Sequence, residues 1–325
     1  MQDPIQSNVQ NSIATGFILS MFEVAPSACT SLIMHDLHVM QVLVSEKESS
    51  TSYLWLQHAH GTAALLASVW PYSRVPSDET RALLDVSYTS ILASLISGKP
   101  VSQMFVHLAE KSEPVSGSQP SNHPLFLSIR LCSIMSNLVN LYVSTKQTSQ
   151  CLQAQLLGSA IASDQALEAW VVSLPSSWAY QTFRSEPHYV YGSCWFARTW
   201  NYYRLSRILA SKLILYALNT GSLLNQAINP TPIDHYKLQE SRSASVISEL
   251  SKEIYISLPA MFDFNRRRPA SIPLSLDVFF VVTILQSLVV LTGKSTVLRN
   301  WPCSACEKPD EKFVILQEII TRNLV

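Results

Sequence analysis

Histidine, cysteine and a run of aromatics interleaved with arginine are the side chains of this chain whose spacing could do chemistry. Cys303 and Cys306 form a Cys-x-x-Cys pair, a spacing used for zinc or for dithiol exchange because both sulfurs reach one ion or each other. Tetrahedral zinc needs two more ligands. No second Cys pair or His pair follows, and Pro302 and Pro309 put the pair in a loop, so structural thiols are the expectation. His35 and His38 flank Asp36 at a spacing that places both imidazoles on one helical face. They lack an evident third ligand. Gly293-Lys294-Ser295-Thr296 has the ending of a phosphate loop, but Leu288 stands where its first glycine is required, and a helix rather than a strand precedes it. Neither a Gly-x-Ser-x-Gly elbow nor a His-Glu-x-x-His zinc helix is present. No cofactor and no metal are expected.

The aromatics are more informative. Trp170, Trp178, Tyr180, Trp195, Trp200, Tyr202 and Tyr203 cluster around Arg198 and Arg204. Such a mixture either lines a cavity, apolar with a few polar anchors, or fills a core in which each arginine meets a carboxylate. Core packing is the favoured reading. On the other reading, His58, Trp195, Arg198, Trp200, Tyr203 and Arg204 are the candidate ligand-binding residues, and the ligand is an apolar small molecule. His58 sits on the apolar stripe of its own helix, where a hydrogen-bonded core histidine is the simpler role.

The elements that must position these groups read as helices. Ile13, Phe17, Met21 and Val24 recur at helical spacing, as do Trp55, His58, Thr62, Leu65, Leu66 and Val69. A third stripe, Leu84, Tyr88, Ile91, Leu92 and Leu95, starts after a capping Ser77 and stops at Gly98 and Pro100. Residues 110–123 are polar and rich in Pro, Gly and Ser, an exposed loop, after which Pro124 can open a helix carrying Leu125, Ile129, Cys132, Val139 and Tyr142. Leu167, Trp170, Val171 and Leu174 mark another, ended by Pro175. Over 196–218, Leu205, Leu209, Leu213 and Tyr216 form one apolar stripe, with Trp200, Ile214 and Leu218 opposite. Apolar on nearly all faces, this segment predicts a central helix. Arg198, Arg204 and Arg207 on it then need partners. Further helices are expected at 234–257, 274–292 and 310–323. Strand signals are weak, and there is no repeat of fixed period. The fold class is all-α: one bundle of roughly ten to fourteen helices, a single domain over 1–325.

Composition agrees and excludes other classes. Only 14% of the residues are charged, against 47% hydrophobic, so much helical surface must be buried. Eight glycines are too few for an architecture built on tight turns. The 23 basic and 23 acidic side chains cancel, and no long basic stretch exists, so no direct nucleic-acid binding is expected. Asn265-Arg266-Arg267-Arg268-Pro269 is a short basic run, read as a solvated loop, with nuclear import as its functional alternative. Val278 to Thr292 carries no charge but is shorter than the roughly 20 residues of a spanning helix. It reads as a core helix, and no membrane partner is expected. The opening Met1-Gln2-Asp3-Pro4 is not a signal peptide, which predicts an intracellular chain with free thiols.

Four strings taken in order point to a family. WLQHAHGTAALL (55–66), LEAWVVSLPSSWAY (167–180), WFARTWNYYRLSRIL (195–209) and ISLPAMFDF (256–264) resemble successive signatures of the fungal-specific transcription factor domain, the regulatory domain of fungal zinc-cluster transcription factors. The uncharged helix at 278–292 and Trp301 are similar to its late apolar helix and following Trp. The resemblance spans roughly residues 10–305. It implies an all-α regulator in the nucleus, with the cytoplasm as alternative, that restrains or relays transcriptional activity. Its partners would be a transcription factor, a co-activator or a second copy of itself, with a small molecule as possible effector. The family's DNA-binding cluster packs six cysteines within about 30 residues. Here six are spread from Cys29 to Cys306, so DNA binding is not carried over: the chain reads as a fragment, or as a member without that module. The alternative function is a repurposed small-molecule-binding protein or enzyme of fungal secondary metabolism. Its aromatic pocket would suit a cofactor-independent cyclisation or isomerisation.

Overall fold

The structure, a computed structural model, describes residues 78–103, 105, 124–145, 153–182, 189–225, 233–261 and 274–293. Among them are six α-helices and one two-stranded ribbon, so the described part is all-α in character. His35, His38, His58, the loop at 110–123, the run at 265–269, Cys303, Cys306 and the expected helices at 13–24, 55–69 and 310–323 lie outside the described residues. The chain divides into two compact units, Met1–Ala93 with Phe262–Val325, and Ser94–Met261. Each is described by itself.

Two described helices belong mainly to the first unit, α1 (Asp78–Ser97) and the last, α6 (Leu274–Thr292). The α1 stripe of Leu84, Tyr88, Ile91, Leu92 and Leu95 is buried throughout. Both helices stop at a glycine with positive φ, Gly98 at 67° and Gly293 at 79°. A Cβ disfavours that left-handed conformation. The amide of Gly293 donates to the Val289 carbonyl at 2.9 Å, so this glycine closes a helix. The uncharged α6 buries Val281, Ile284, Leu285 and Leu288.

The second unit contains α2 (Pro124–Thr145), α3 (Gln153–Val172), a 3-10 turn (Ser176–Trp178), the ribbon β1–β2 (Gln181–Thr182 and Tyr189–Val190), α4 (Cys194–Asn225) and α5 (Ile233–Met261). Pro124 opens α2, as its missing N–H allows. Phe126–Thr145 within α2 is long and apolar enough to cross a membrane, but 61% of that stretch is buried in the fold, as for a core helix. Beyond α1, the chain is pinned to α2 by one side-chain amide: Asn140 Oδ1 accepts from the Val101 amide at 2.7 Å, and its Nδ2 donates to the Val101 carbonyl at 3.3 Å.

α4 is the axis of this unit. From Ala197 to Ser211 every residue is buried except Arg207, which is half-buried. Tyr216 departs from expectation: assigned to the apolar stripe, it is 46% exposed, because burial fades toward the end of the helix while the stripe continues. Small polar residues enter this core by bonding back to their own helix. Thr199 donates to the Trp195 carbonyl at 2.9 Å and Ser206 to the Tyr202 carbonyl at 2.8 Å, which satisfies each hydroxyl without a partner from elsewhere.

α3 meets α4 through Trp170 and Tyr203 and through Asp164 and Arg207. Positions rise on one helix as they fall on the other, so the two run antiparallel. Arg204 with Glu253 and Asn201 with Ser257 set α5 antiparallel to α4 in the same way. Pro175 follows the end of α3 and accepts from the Trp178 amide at 2.9 Å, turning the chain so that Trp178 enters the core.

Candidate functional site

Three elements bring the aromatics together. α3 contributes Trp170 and the turn contributes Trp178, both essentially inaccessible. α4 contributes Trp195, Trp200 and Tyr203. Trp170 stacks on Tyr203 with centroids 5.4 Å apart and an interplanar angle of 21°. It meets Trp178 and Trp200 edge-on at 6.1 and 6.2 Å. Trp178 meets Trp195 at 5.3 Å. Such offset and T-shaped pairs add about 0.5–1.5 kcal/mol each beyond burial. Two indole N–H groups fix the arrangement, Trp170 Nε1 donating to the Leu127 carbonyl at 2.6 Å and Trp200 Nε1 to the Trp178 carbonyl at 2.9 Å. The first ties α2 to α3, and the second ties the turn to α4.

Arg204 lies against this cluster, fully buried. Its Nε donates to Glu253 Oε2 at 2.9 Å. Its Nη1 donates to the Tyr191 hydroxyl at 2.9 Å and to Asn201 Oδ1 at 3.0 Å. Its Nη2 is buried and has no hydrogen-bond partner among the described residues. The guanidinium carbon stands 5.4 Å from the Tyr180 ring, 5.3 Å from Tyr189 and 5.6 Å from Trp200, within cation–π range of all three. The β1–β2 ribbon places two of these rings. Gln181 pairs with Val190 and Thr182 with Tyr189, which sets Tyr180 and Tyr189 4.4 Å apart, ring to ring.

Ionisation follows burial. The Tyr191 phenol is pushed up to about 12 by burial, partly countered by Arg204, so it stays protonated and accepts from the guanidinium. Burial also raises Tyr189, with Glu253 adding to the effect, and raises Tyr203. For Arg204, burial opposes the charge. The charge and hydrogen-bond effects of Tyr191 and Glu253 more than offset it, and the pKa is raised. Away from the cluster, burial alone drives the Cys132 thiol up to about 12, which leaves it a poor nucleophile.

Arg207, three residues on, forms a second assembly. It pairs with both Asp164 oxygens at 2.9 and 3.2 Å, with Glu168 at 3.0 Å and with the Tyr203 hydroxyl at 3.3 Å. Arg242 reaches the same Glu168 oxygen at 3.0 Å.

Of the candidate residues, the fold therefore joins Trp195, Trp200, Tyr203 and Arg204. Arg198 is buried on the same helix, but two residues of helix, about 200° of rotation, set it on the far side from Trp200. His58 lies outside the described residues. Asn201, Glu253, Tyr189 and Tyr191 escaped the sequence reading. The alternation Tyr189-Val190-Tyr191 was the available signal for two of them. Among the described residues, no group of three His, Cys, Asp or Glu could hold a metal. Set against protein-family models, curated proteins and solved structures, the chain matches none.

Proposed function

We propose that this chain is a regulatory helical domain of the fungal zinc-cluster transcription factor type, working through protein contacts and a small-molecule contact rather than a nucleic-acid surface of its own. The observation that carries the reading is the interlock of Trp170 and Trp178 with Trp200 and Tyr203. Two of the strings that carry the resemblance supply those four side chains, and the residues between them fold into the ribbon and its approaches. The signature residues thus act as the keystone of a packed helical hub, the role expected where a family shares a fold and a regulatory task rather than a reaction. The balanced charge and the internal pairing of Arg204 and Arg207 support the absence of a nucleic-acid surface.

The reading carries with it a bundle of ten to fourteen helices, location in the nucleus with the cytoplasm as alternative, control of genes of secondary metabolism, and a transcription factor, co-activator or second copy as partner. The test is deletion of the gene, reading transcripts and metabolites together. Nuclear accumulation of the tagged chain and altered transcript levels are expected. Unchanged transcripts with an accumulated metabolite precursor would overturn it. That outcome would favour the second reading, a cofactor-independent cyclase or isomerase, which draws on the unused Nη2 donor of Arg204 beside three aromatic rings.

A further inference from the structure

Interiors rarely tolerate an unused charged donor. A buried group left without its hydrogen bond costs about 1–3 kcal/mol, more when charged. Arg204 meets that condition on one nitrogen only. Nε and Nη1 are satisfied by Glu253, Tyr191 and Asn201, and Nη2 is not. The aromatic faces around the guanidinium stabilise its charge but do not replace two directed N–H bonds.

The cover over this nitrogen is also unusual. Tyr180 and Tyr189 stand over the guanidinium from the ends of a ribbon with only two residue pairs. Both rings are partly exposed, and Gln181, Thr182 and Val190 are exposed. A two-stranded ribbon this short is marginal by itself. It belongs to the part of a fold that opens at least cost, whereas Trp200 on the other side is fixed by its bond to Trp178.

We propose that Arg204 Nη2, beneath the Tyr180 and Tyr189 rings, anchors a binding site for a small aromatic carboxylate. The carboxylate takes the two free N–H bonds as charge-assisted hydrogen bonds. The aromatic body replaces the contact that the Tyr180 and Tyr189 rings make with Arg204, and those rings swing aside to flank it. Glu253 stays on Nε, so its charge disfavours dianions and limits the ligand to one carboxylate. This site deepens the small-molecule part of the proposed function and rests on it. Its failure would leave the protein-contact reading, tested by transcript levels, untouched.

The test is calorimetric titration of the full chain with benzoate and with the neutral benzyl alcohol. Benzoate is expected to bind saturably at one site, at least roughly tenfold tighter than benzyl alcohol, the worth of hydrogen bonds to a charged group. Tyr189→Ala removes part of the cover and should tighten benzoate binding by roughly threefold or more, since less closed state competes with the ligand, with the helical circular dichroism unchanged. Arg204→Lys keeps a charge but loses Nη2, and should weaken benzoate binding by roughly tenfold or more. If that variant fails to fold, the benzoate–benzyl alcohol contrast and Tyr189→Ala still decide. The proposal is overturned if neither the native chain nor Tyr189→Ala binds benzoate saturably, or if benzyl alcohol binds as well.

Discussion

Arg204 and Arg207 stand three residues apart on one helix and live in different electrostatic worlds. Arg204 is sealed, with one carboxylate, one phenol, one amide and three aromatic rings around it. The Arg207 side chain keeps 13% of its surface in water and holds two carboxylates, one of them through both oxygens. The difference teaches where a charge has structural leverage. Water can stand in for a missing partner at Arg207. At Arg204 nothing can, so removal of either side strands the other in a low-dielectric core.

The largest effect should come from breaking the sealed assembly. Arg204→Met leaves Glu253, Tyr191 and Asn201 without their shared donor, and a loss of about 3–5 kcal/mol is expected. Urea denaturation with circular dichroism measures it. A loss no greater than that of Arg207→Met would erase the contrast between the two sites. Trp170→Phe comes next. It orphans the Leu127 carbonyl and shrinks a ring that touches three others, for a loss of about 2–3 kcal/mol. Its thermal midpoint should fall with the helix content intact.

Alkaline pH probes the same core without mutation. Tyr191 and Tyr255 are pushed up to about 12, chiefly by burial, from an ordinary value of 10.0. Above pH 10 the unfolded chain loses these protons while the folded chain keeps them. The folded state then binds more protons, so stability falls as pH rises from about 10 to 12. Tyr191 alone accounts for about 2 kcal/mol at the upper end. Phenolate absorbance and circular dichroism should change together. Smooth phenolate titration near pH 10, ahead of any loss of helix, would show these phenols to be solvated. The smallest effect is expected at the wet end of the Arg207 assembly. Arg242 and Glu168 are both substantially exposed, so Arg242→Ala should cost under about 1 kcal/mol. That cost should vanish in high salt. A larger loss would mean that the network is tighter than its exposure implies.

These contrasts also show what could be read before folding. The α1 stripe, the opening at Pro124, the stops at Gly98 and Pro175 and the bounds of α6 were legible because each depends on residues within a turn or two. The demand for carboxylates at Arg204 and Arg207 was legible too, since a helix apolar all round leaves its charges nowhere to go. Which carboxylates answer was not: Asp164, Glu168 and Glu253 lie 39 to 49 residues away. The ribbon was missed because two residues per strand carry too little alternation to register. Arg198 was grouped with Trp200 by nearness in sequence, and helical rotation separates them.

Taken alone, the order of amino acids determined a helical chain whose long fourth described helix is apolar on every face, with arginines embedded in it. Periodicity and composition are local properties, and they survive any arrangement of the helices. Only the tertiary structure decided that Trp170, Trp178, Trp200 and Tyr203 form one interlocked set, and that Tyr180, Tyr189 and Tyr191 close over a guanidinium with one nitrogen unused. Hydrogen bonds and ring contacts between distant segments depend on direction as well as proximity, and direction is set only once the helices have packed.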